Sequence, residues 1–450
     1  MLRKKWLPLI GSMGAVMMMG SSSAYALNLQ QAYELALSND PVYRSAVKEF
    51  EAGVENEGIG RAAILPKLAA NYNKSANKAT QWGAQYTGGP TISSNYNYPS
   101  DYSALQLTQP LFSLEALARW RQGSAQADFS KSRFLFNAQD LLIRVLQAYT
   151  DYLFAIDQWT YQRTERDSFA EQAKVALKMF EKGESSKTDA LEAESALYVS
   201  EAKLLDAADA IEYNRRKLDS IIGKTITEKD KVAMLTPTFP FLKFTPTSYA
   251  DWKEKALDGN LELKAAINQV EVAKQEYKKN DAGHYPVMNM IAAATTQNSN
   301  TVTSINQTTN QNYIGVQLSL PLYSGNEVSS RAAQAYANYE KSRADYDVAK
   351  DKVLVELRKQ YDLVNTGAQK ITALGKAKAS ATLLVEAMRK SVQAGEKINL
   401  DVLVAQKNLY VTSRDLAQAK YNYLIAFLKV KQLSGDLEVE DFQKIAIYFK

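Results

Sequence analysis

Few residues of this chain could break or make bonds, and their types and spacing point away from such chemistry. The single histidine, His284, stands between Gly283 and Tyr285-Pro286, the context of a surface or interface residue at a helix end. One imidazole and no cysteine make neither a Ser-His-Asp relay nor a His- or Cys-rich zinc site. No glycine-rich loop is spaced to cradle a phosphate, so energy must come from a partner and no cofactor is expected. Most carboxylates fall along helical faces as solvated groups or i,i+4 partners. Two are placed differently. Asp189 closes the turn Glu181-Lys-Gly-Glu-Ser-Ser-Lys-Thr-Asp189, and Asp401 closes Gln393-Ala-Gly-Glu-Lys-Ile-Asn-Leu-Asp401. Each stands at the start of a returning helix, where a carboxylate accepts orphan backbone N–H bonds. Asp189 with Glu192 resembles a capping box, and Gly183 and Gly395 read as left-handed C-caps.

The elements that position these turns are duplicated. Gly183 and Gly395 lie 212 residues apart, as do Gly223 and Gly435. Each turn sits in a long stretch without proline, between Pro110 and Pro237 and after Pro321, which is what a long helix needs. The stretches open alike, with Leu107-Thr-Gln-Pro-Leu-Phe-Ser113 and Leu318-Ser-Leu-Pro-Leu-Tyr-Ser324. Upstream, Ala36-Leu37 matches Ala256-Leu257, and Pro66 matches Pro286. Two repeats follow, 27–235 and 248–450, joined by a Pro-rich linker, 236–247, whose alternating aromatics suggest an extended strap. The offset falls from 220 at Pro66 to 211 at Pro110. The first repeat therefore holds nine more residues there, read as a loop at Gly88–Pro99.

Leu142, Val145, Tyr149, Tyr152, Ile156 and Trp159 follow helical spacing. Leu197, Leu204, Ile211 and Leu218 recur every seventh residue, matched by Leu409, Leu416, Tyr423 and Val430. Heptads predict coiled-coil packing, although an ordinary helical bundle packs in the same way. Length favours a rod. A helix from Pro110 to Gly183 spans roughly 105 Å, and residues 28–65 and 189–222 add helices of roughly 55 and 50 Å.

Strands are expected near 67–80, 100–110, 287–297 and 312–321. Ile314, Val316, Leu318 and Leu320 alternate with Tyr313, Gly315, Gln317 and Ser319, and Leu105 and Leu107 alternate with Ala104, Gln106 and Thr108. One apolar and one polar face suits a strand between lipid and a wet lumen, and a soluble sandwich equally. Four strands cannot close a barrel in lipid, because open edges leave backbone groups unsatisfied. Two chains would give eight strands and a filled lumen, and three would give twelve and room for water.

Residues 1–26 read as a signal peptide: Arg3, Lys4 and Lys5, an apolar run from Trp6 to Gly20, and Ala24-Tyr-Ala26. An uncleaved anchor is the alternative. The formal charge of +5 falls to about +2 without those three cations, too balanced for a nucleic-acid binder. No later apolar run reaches the length of about 18 residues that a spanning helix needs.

Four blocks carry a family likeness: Leu107–Ser113, Gln147-Ala-Tyr-Thr-Asp-Tyr-Leu153, Ala394-Gly-Glu-Lys-Ile-Asn-Leu-Asp-Val-Leu403 and Ala419-Lys-Tyr-Asn-Tyr-Leu-Ile425. The chain resembles the TolC family of outer-membrane channel-tunnels over essentially its whole mature length. The resemblance implies a mostly α protein with membrane β, a homotrimer whose twelve-stranded β-barrel draws four strands from each chain. The barrel would sit in the outer-membrane lipid of a Gram-negative bacterium, above a long periplasmic α-helical barrel of coiled-coil hairpins. Implied partners are a periplasmic adaptor and an inner-membrane transporter, either ABC or proton-driven. The two turns would form the periplasmic tip, with Gly183, Glu184, Gly395 and Glu396 facing the adaptor. Asp401 matches the pore constriction, where a divalent cation bridging three copies could block the pore.

The same likeness pairs Lys397 with Asp189 as a gating latch between neighbouring hairpins. The family's arginine is lysine here, without the planar fork, and its supporting tyrosine is Val392. A second acidic position is Val404. The chain ends about fifteen residues beyond Gly435, a short tail that resembles family members serving type I protein secretion. Multidrug efflux is the alternative, and a structural periplasmic coiled coil a further one that explains neither strands nor duplication.

Overall fold

Asp40 and Pro41 divide what the spacing presents as one helix over 28–65. Proline has no N–H to give and fits the first position of a helix. Asp40 ahead of it accepts from Val42 N (3.2 Å) and Tyr43 N (3.3 Å). The result is α1 (Leu29–Asn39) followed by α2 (Pro41–Arg61). The second repeat breaks at the equivalent place. Asn260, between α5 (Tyr249–Gly259) and α6 (Leu261–Asp281), accepts from Leu263 N at 2.9 Å.

The structure, a computed structural model, describes residues 27–450 except 85, 228, 229, 231, 237, 238, 240, 243, 300–306, 395 and 398. The expected signal peptide and Gly395 lie outside the described residues. The remaining elements are β1 (Lys67–Ala84), β2 (Thr91–Phe112), α3 (Leu114–Glu181), α4 (Lys187–Ile222), β3 (Val287–Ser299), β4 (Gln307–Ser319), α7 (Glu327–Gln393), α8 (Asn399–Leu433) and α9 (Val439–Ala446). Each repeat thus runs helix, helix, strand, strand, helix, helix. The 68 residues of α3 and 67 of α7 make rods of about 100 Å.

Shorter helices lie along both halves of each rod. Helices α2 and α4 pack on α3, and α6 and α8 on α7, while α3 also touches α6 and α8. The lateral order is therefore α2–α3–α6–α7 toward the sheet and α4–α3–α8–α7 toward the turns. Close approach comes from small residues. On α4 the more buried seam positions are Ala193, Ser200 and Ala207, alternating with Leu197, Leu204 and Ile211. Gly60 of α2 and Gly123 of α3 cross so closely that a Cβ on Gly123 would stand 2.2 Å from the Asn56 carbonyl oxygen.

The main core lies where α1, the middle of α3 and the ends of α4 and α8 meet α5, α9 and the linker. Tyr149 is fully buried there, its hydroxyl within 2.9 Å of the Leu27 carbonyl and 2.8 Å of the Ala233 carbonyl. Phe244 of the linker stacks on Trp252 at 5.1 Å, and Phe239 and Phe241 meet Tyr423 edge-on at 5.7 and 6.0 Å. The linker's aromatics thus lie along the helical layer.

The sheet is antiparallel in the order β1-β2-β3-β4. The segment Gly88–Pro99, read above as a loop, is strand from Thr91 onward. Its nine extra residues lengthen the β1–β2 hairpin, where Asn, Ser and Thr side chains bond one another across the two strands. Ser75 Oγ meets Ser100 Oγ at 2.8 Å, and Thr80 Oγ1 donates to Asn95 Oδ1 at 2.7 Å. The prolines of β2 fall where one neighbour is missing. Pro99 lies just beyond the β3 pairing, and Pro110 lies beyond the β1 pairing at a bulge, the places a strand tolerates proline.

Candidate functional site

Residues opposite one another across antiparallel strands share a face. One row runs Leu68, Leu107, Ala292 and Ile314, with Met290–Val316 and Met288–Leu318 on the same side. Three residues further along, a row on the other face runs Asn71, Ala104, Thr295 and Gln311. The sheet therefore has an apolar side and a polar side. On the apolar side Leu68, Ile314, Val316 and Leu318 are 62–74% exposed, and no helix covers it. Both edge strands, β1 and β4, are open within one chain.

The helices leave matching exposed stripes. On α4, Leu191, Tyr198 and Leu205 repeat every seventh residue at 54%, 59% and 69% exposure, on a different face from the seam against α3. Val348 and Val355 of α7 and Val42 and Ile59 of α2 are exposed in the same way. Because α4 and α2 stand at one end of the lateral order and α7 at the other, these faces could meet only in another copy. The heptad reading above found the internal seam and missed this second stripe. The signal was present in Leu191, Tyr198 and Leu205, one residue after Leu197 and Leu204.

At the first turn, Gly183 takes φ +75°, a conformation that costs glycine little. Its N–H reaches Phe180 O at 2.9 Å, and Glu184 N reaches Met179 O at 2.8 Å, the paired bonds that close a helix C-terminus. At the second turn Glu396 N makes the equivalent bond to Ser391 O at 2.9 Å. Helix α4 begins at Lys187, so Ser186 is its N-cap and Asp189 its third residue. Asp189 Oδ2 accepts from Ser186 N at 3.1 Å, and Asp189 N donates to Ser186 Oγ at 3.2 Å. The capping box is thus Ser186 with Asp189. It replaces the Asp189–Glu192 box read from the sequence, because the helix starts earlier than Asp189.

Lys397 and Asp401 lie one helical turn apart, Nζ to Oδ2 4.0 Å, with 50% and 40% of their side chains exposed. Within one chain, then, Lys397 faces Asp401 while Asp189 serves its own turn. Glu184 and Glu396 are exposed beside them, as is Val404. His284 is exposed at the foot of β3. Among the described residues no group of three or more His, Cys, Asp or Glu side chains could hold a metal.

Tighter charge chemistry lies farther up, at sites the sequence reading did not single out. Asp40, almost fully buried, meets Arg144 Nη2 at 2.5 Å, and Arg144 also holds Asp140 at 2.8 Å. Asp157 on α3 accepts from Tyr421 of α8 at 3.3 Å. Burial pushes this carboxyl's pKa up, against the opposing pull of the Tyr421 hydrogen bond and the Lys378 charge.

Comparison with known proteins bears on this arrangement. The model of the outer membrane efflux protein family matches residues 32–224 and 252–436, one match on each repeat. The alkaline protease secretion protein AprF of Pseudomonas aeruginosa is 36% identical over 97% of this chain and 90% of its own length. The proteases secretion protein PrtF of Dickeya chrysanthemi is 32% identical over 97% and 94%. The crystal structure of the CmeC outer membrane channel of Campylobacter jejuni covers 94% of this chain and 90% of its own, with TM-score 0.76 at 16% identity. That likeness shows a common fold. With an amphipathic four-stranded sheet on a long helical body, the chain belongs to the outer membrane efflux protein family, whose place is the Gram-negative outer membrane.

Proposed function

We propose that the chain is the outer-membrane exit duct of a tripartite export system and that its cargo is secreted protein. The observation that carries this reading is the end-to-end match to two protease secretion proteins at 36% and 32% identity. In this reading three copies close a twelve-stranded barrel, apolar face to lipid and polar face to the lumen. The exposed helix stripes meet between protomers and extend the tunnel through the periplasm. A periplasmic adaptor docks near Gly183, Glu184, Gly395 and Glu396, and an inner-membrane transporter supplies the energy. Asp401 narrows the tip, and Lys397 with Asp189 latches neighbouring hairpins. The family's description as efflux proteins keeps efflux as the second reading, with small molecules as its cargo.

The test is a deletion strain complemented with the wild-type gene, scored for extracellular proteins and for drug susceptibility. Loss of one or a few secreted proteins with unchanged drug tolerance supports the proposal. Drug sensitivity with intact secretion overturns it in favour of efflux.

A further inference from the structure

The two hairpins share one internal register. Lys67 pairs with Thr108 in the first, and Val287 pairs with Ser319 in the second. Val287 follows Lys67 by 220 residues and Ser319 follows Thr108 by 211. Those are the offsets that relate Pro66 to Pro286 and Pro110 to Pro321. Over the length of the shorter hairpin the two are therefore equivalent residue by residue, and the β2–β3 junction between them is a template for the junction their free edges must make. Within the chain Leu107 lies opposite Ala292 and Gln106 opposite Ala293. Shifted by the same offsets, these pairs become Leu318 with Tyr72 and Gln317 with Asn73.

We propose that β4 pairs antiparallel with β1 of a second copy in this register, Leu318 opposite Tyr72 of the partner subunit. The inference rests on the homotrimer reading above and adds to it which residues meet.

A second observation points the same way. Strand β2 continues to Phe112, where a bulge sets Phe112 against Met288. Strand β4 stops at Ser319, and beyond it Leu322 and Tyr323 are 90% and 86% exposed. Tyr323 is the counterpart of Phe112, and the difference between them is the neighbour. Phe112 has β3 beside it, whereas the strand that should flank Tyr323 belongs to another copy. By the same offsets Tyr323 comes opposite Leu68 of the partner subunit, which carries the β4 pairing on from Ser319 to Tyr323.

The register also keeps faces consistent. Leu318 and Tyr72 both belong to the apolar side of the sheet. A slip of one residue would set Leu318 beside Asn71 or Asn73 of the partner subunit, on the polar side. The row Lys67, Thr108, Ile291, Gly315 then runs on into Ser75 of the partner subunit rather than Lys67. That displacement is the stagger a sheet needs to close into a barrel.

The absence of cysteine makes the test direct. Two double variants of the full-length protein are oxidised in outer membranes with copper phenanthroline: Leu318→Cys with Tyr72→Cys, and Gln317→Cys with Asn73→Cys. Successive antiparallel pairs alternate between wide and close spacing, and the close pair meets disulfide geometry. At least one variant should give covalent dimers and trimers on non-reducing gels. Leu318→Cys with Ala70→Cys, or with Lys74→Cys, places partners about 7–8 Å apart and should give none. Light scattering on each detergent-solubilised variant reports the assembly independently. A trimer that links only through a shifted pair, or through no pair, overturns the register and leaves the assembly reading standing. A monomeric mass overturns both.

Discussion

Replacing Lys397 tests the turn chemistry most sharply, because the structure offers this ammonium a partner in its own turn and the proposed latch offers another. Lys397 and Asp401 are half-exposed and 4.0 Å apart, so their attraction contributes only about 0–1 kcal/mol. A latch contact to Asp189, itself exposed, belongs to the same range. Such an amount hardly moves folding. Three copies acting together supply up to about 3 kcal/mol, on the order of a hundredfold in an equilibrium between closed and open tips. Lys397→Ala should therefore leave the trimer's thermal stability almost unchanged while raising single-channel conductance in planar bilayers. The partner is identified by double-mutant cycles. Asp189→Asn removes the charge but keeps an oxygen that can accept from Ser186 N, so the capping box survives. If Lys397 latches Asp189, adding Asp189→Asn to Lys397→Ala changes conductance no further than either alone. Fully additive effects refute the latch. Coupling to Asp401→Asn instead would confine Lys397 to its own turn.

Divalent cations should block the wild-type channel at the proposed constriction, and Asp401→Asn should abolish the block. An equal response of mutant and wild type would leave Asp401 no role at the aperture. Leu205→Glu places a charge on the exposed α4 stripe, where burying leucine against a neighbour is worth about 1.5–3 kcal/mol. Trimer yield by light scattering should fall while circular dichroism still reports helix, and an undiminished trimer would show that the stripe is no interface. Gly123→Ala, with its Cβ driven toward Asn56 and Gly60, should cost about 1–3 kcal/mol and lower the melting temperature. Asp157 holds its proton more tightly when folded, because burial raises its pKa. Its contribution is full below the unfolded pKa and lost as pH rises through the folded value. Asp157→Asn should therefore gain stability relative to wild type between acid and neutral pH, and melting curves that shift in parallel would contradict this.

The sequence by itself determined the duplication, the long helices, the two turns and the approximate place of four strands. Each rests on local chemistry: proline-free runs between Pro110 and Pro237, glycine at Gly183, and period-two alternation from Tyr313 to Leu320. The break at Asp40-Pro41 was missed, because helical spacing runs on through residues 28–65, although its signal, one proline behind one capping carboxylate, stands in the sequence. Three things needed the tertiary structure. The residues from Thr91 to Pro99 read as loop because Asn and Ser favour turns, yet the long partner strand β1 supplies their bonds. Asp40 and Arg144, 104 residues apart, meet only because α3 runs past α1 and α2. The face each heptad presents depends on which helix lies beside it. Ala193, Ser200 and Ala207 are buried because α3 approaches closely there, while Leu191, Tyr198 and Leu205 are exposed because α4 ends the lateral order. Spacing along a chain fixes which residues share a stripe, and only the packing of distant segments decides whether that stripe meets a neighbour or is left for another copy.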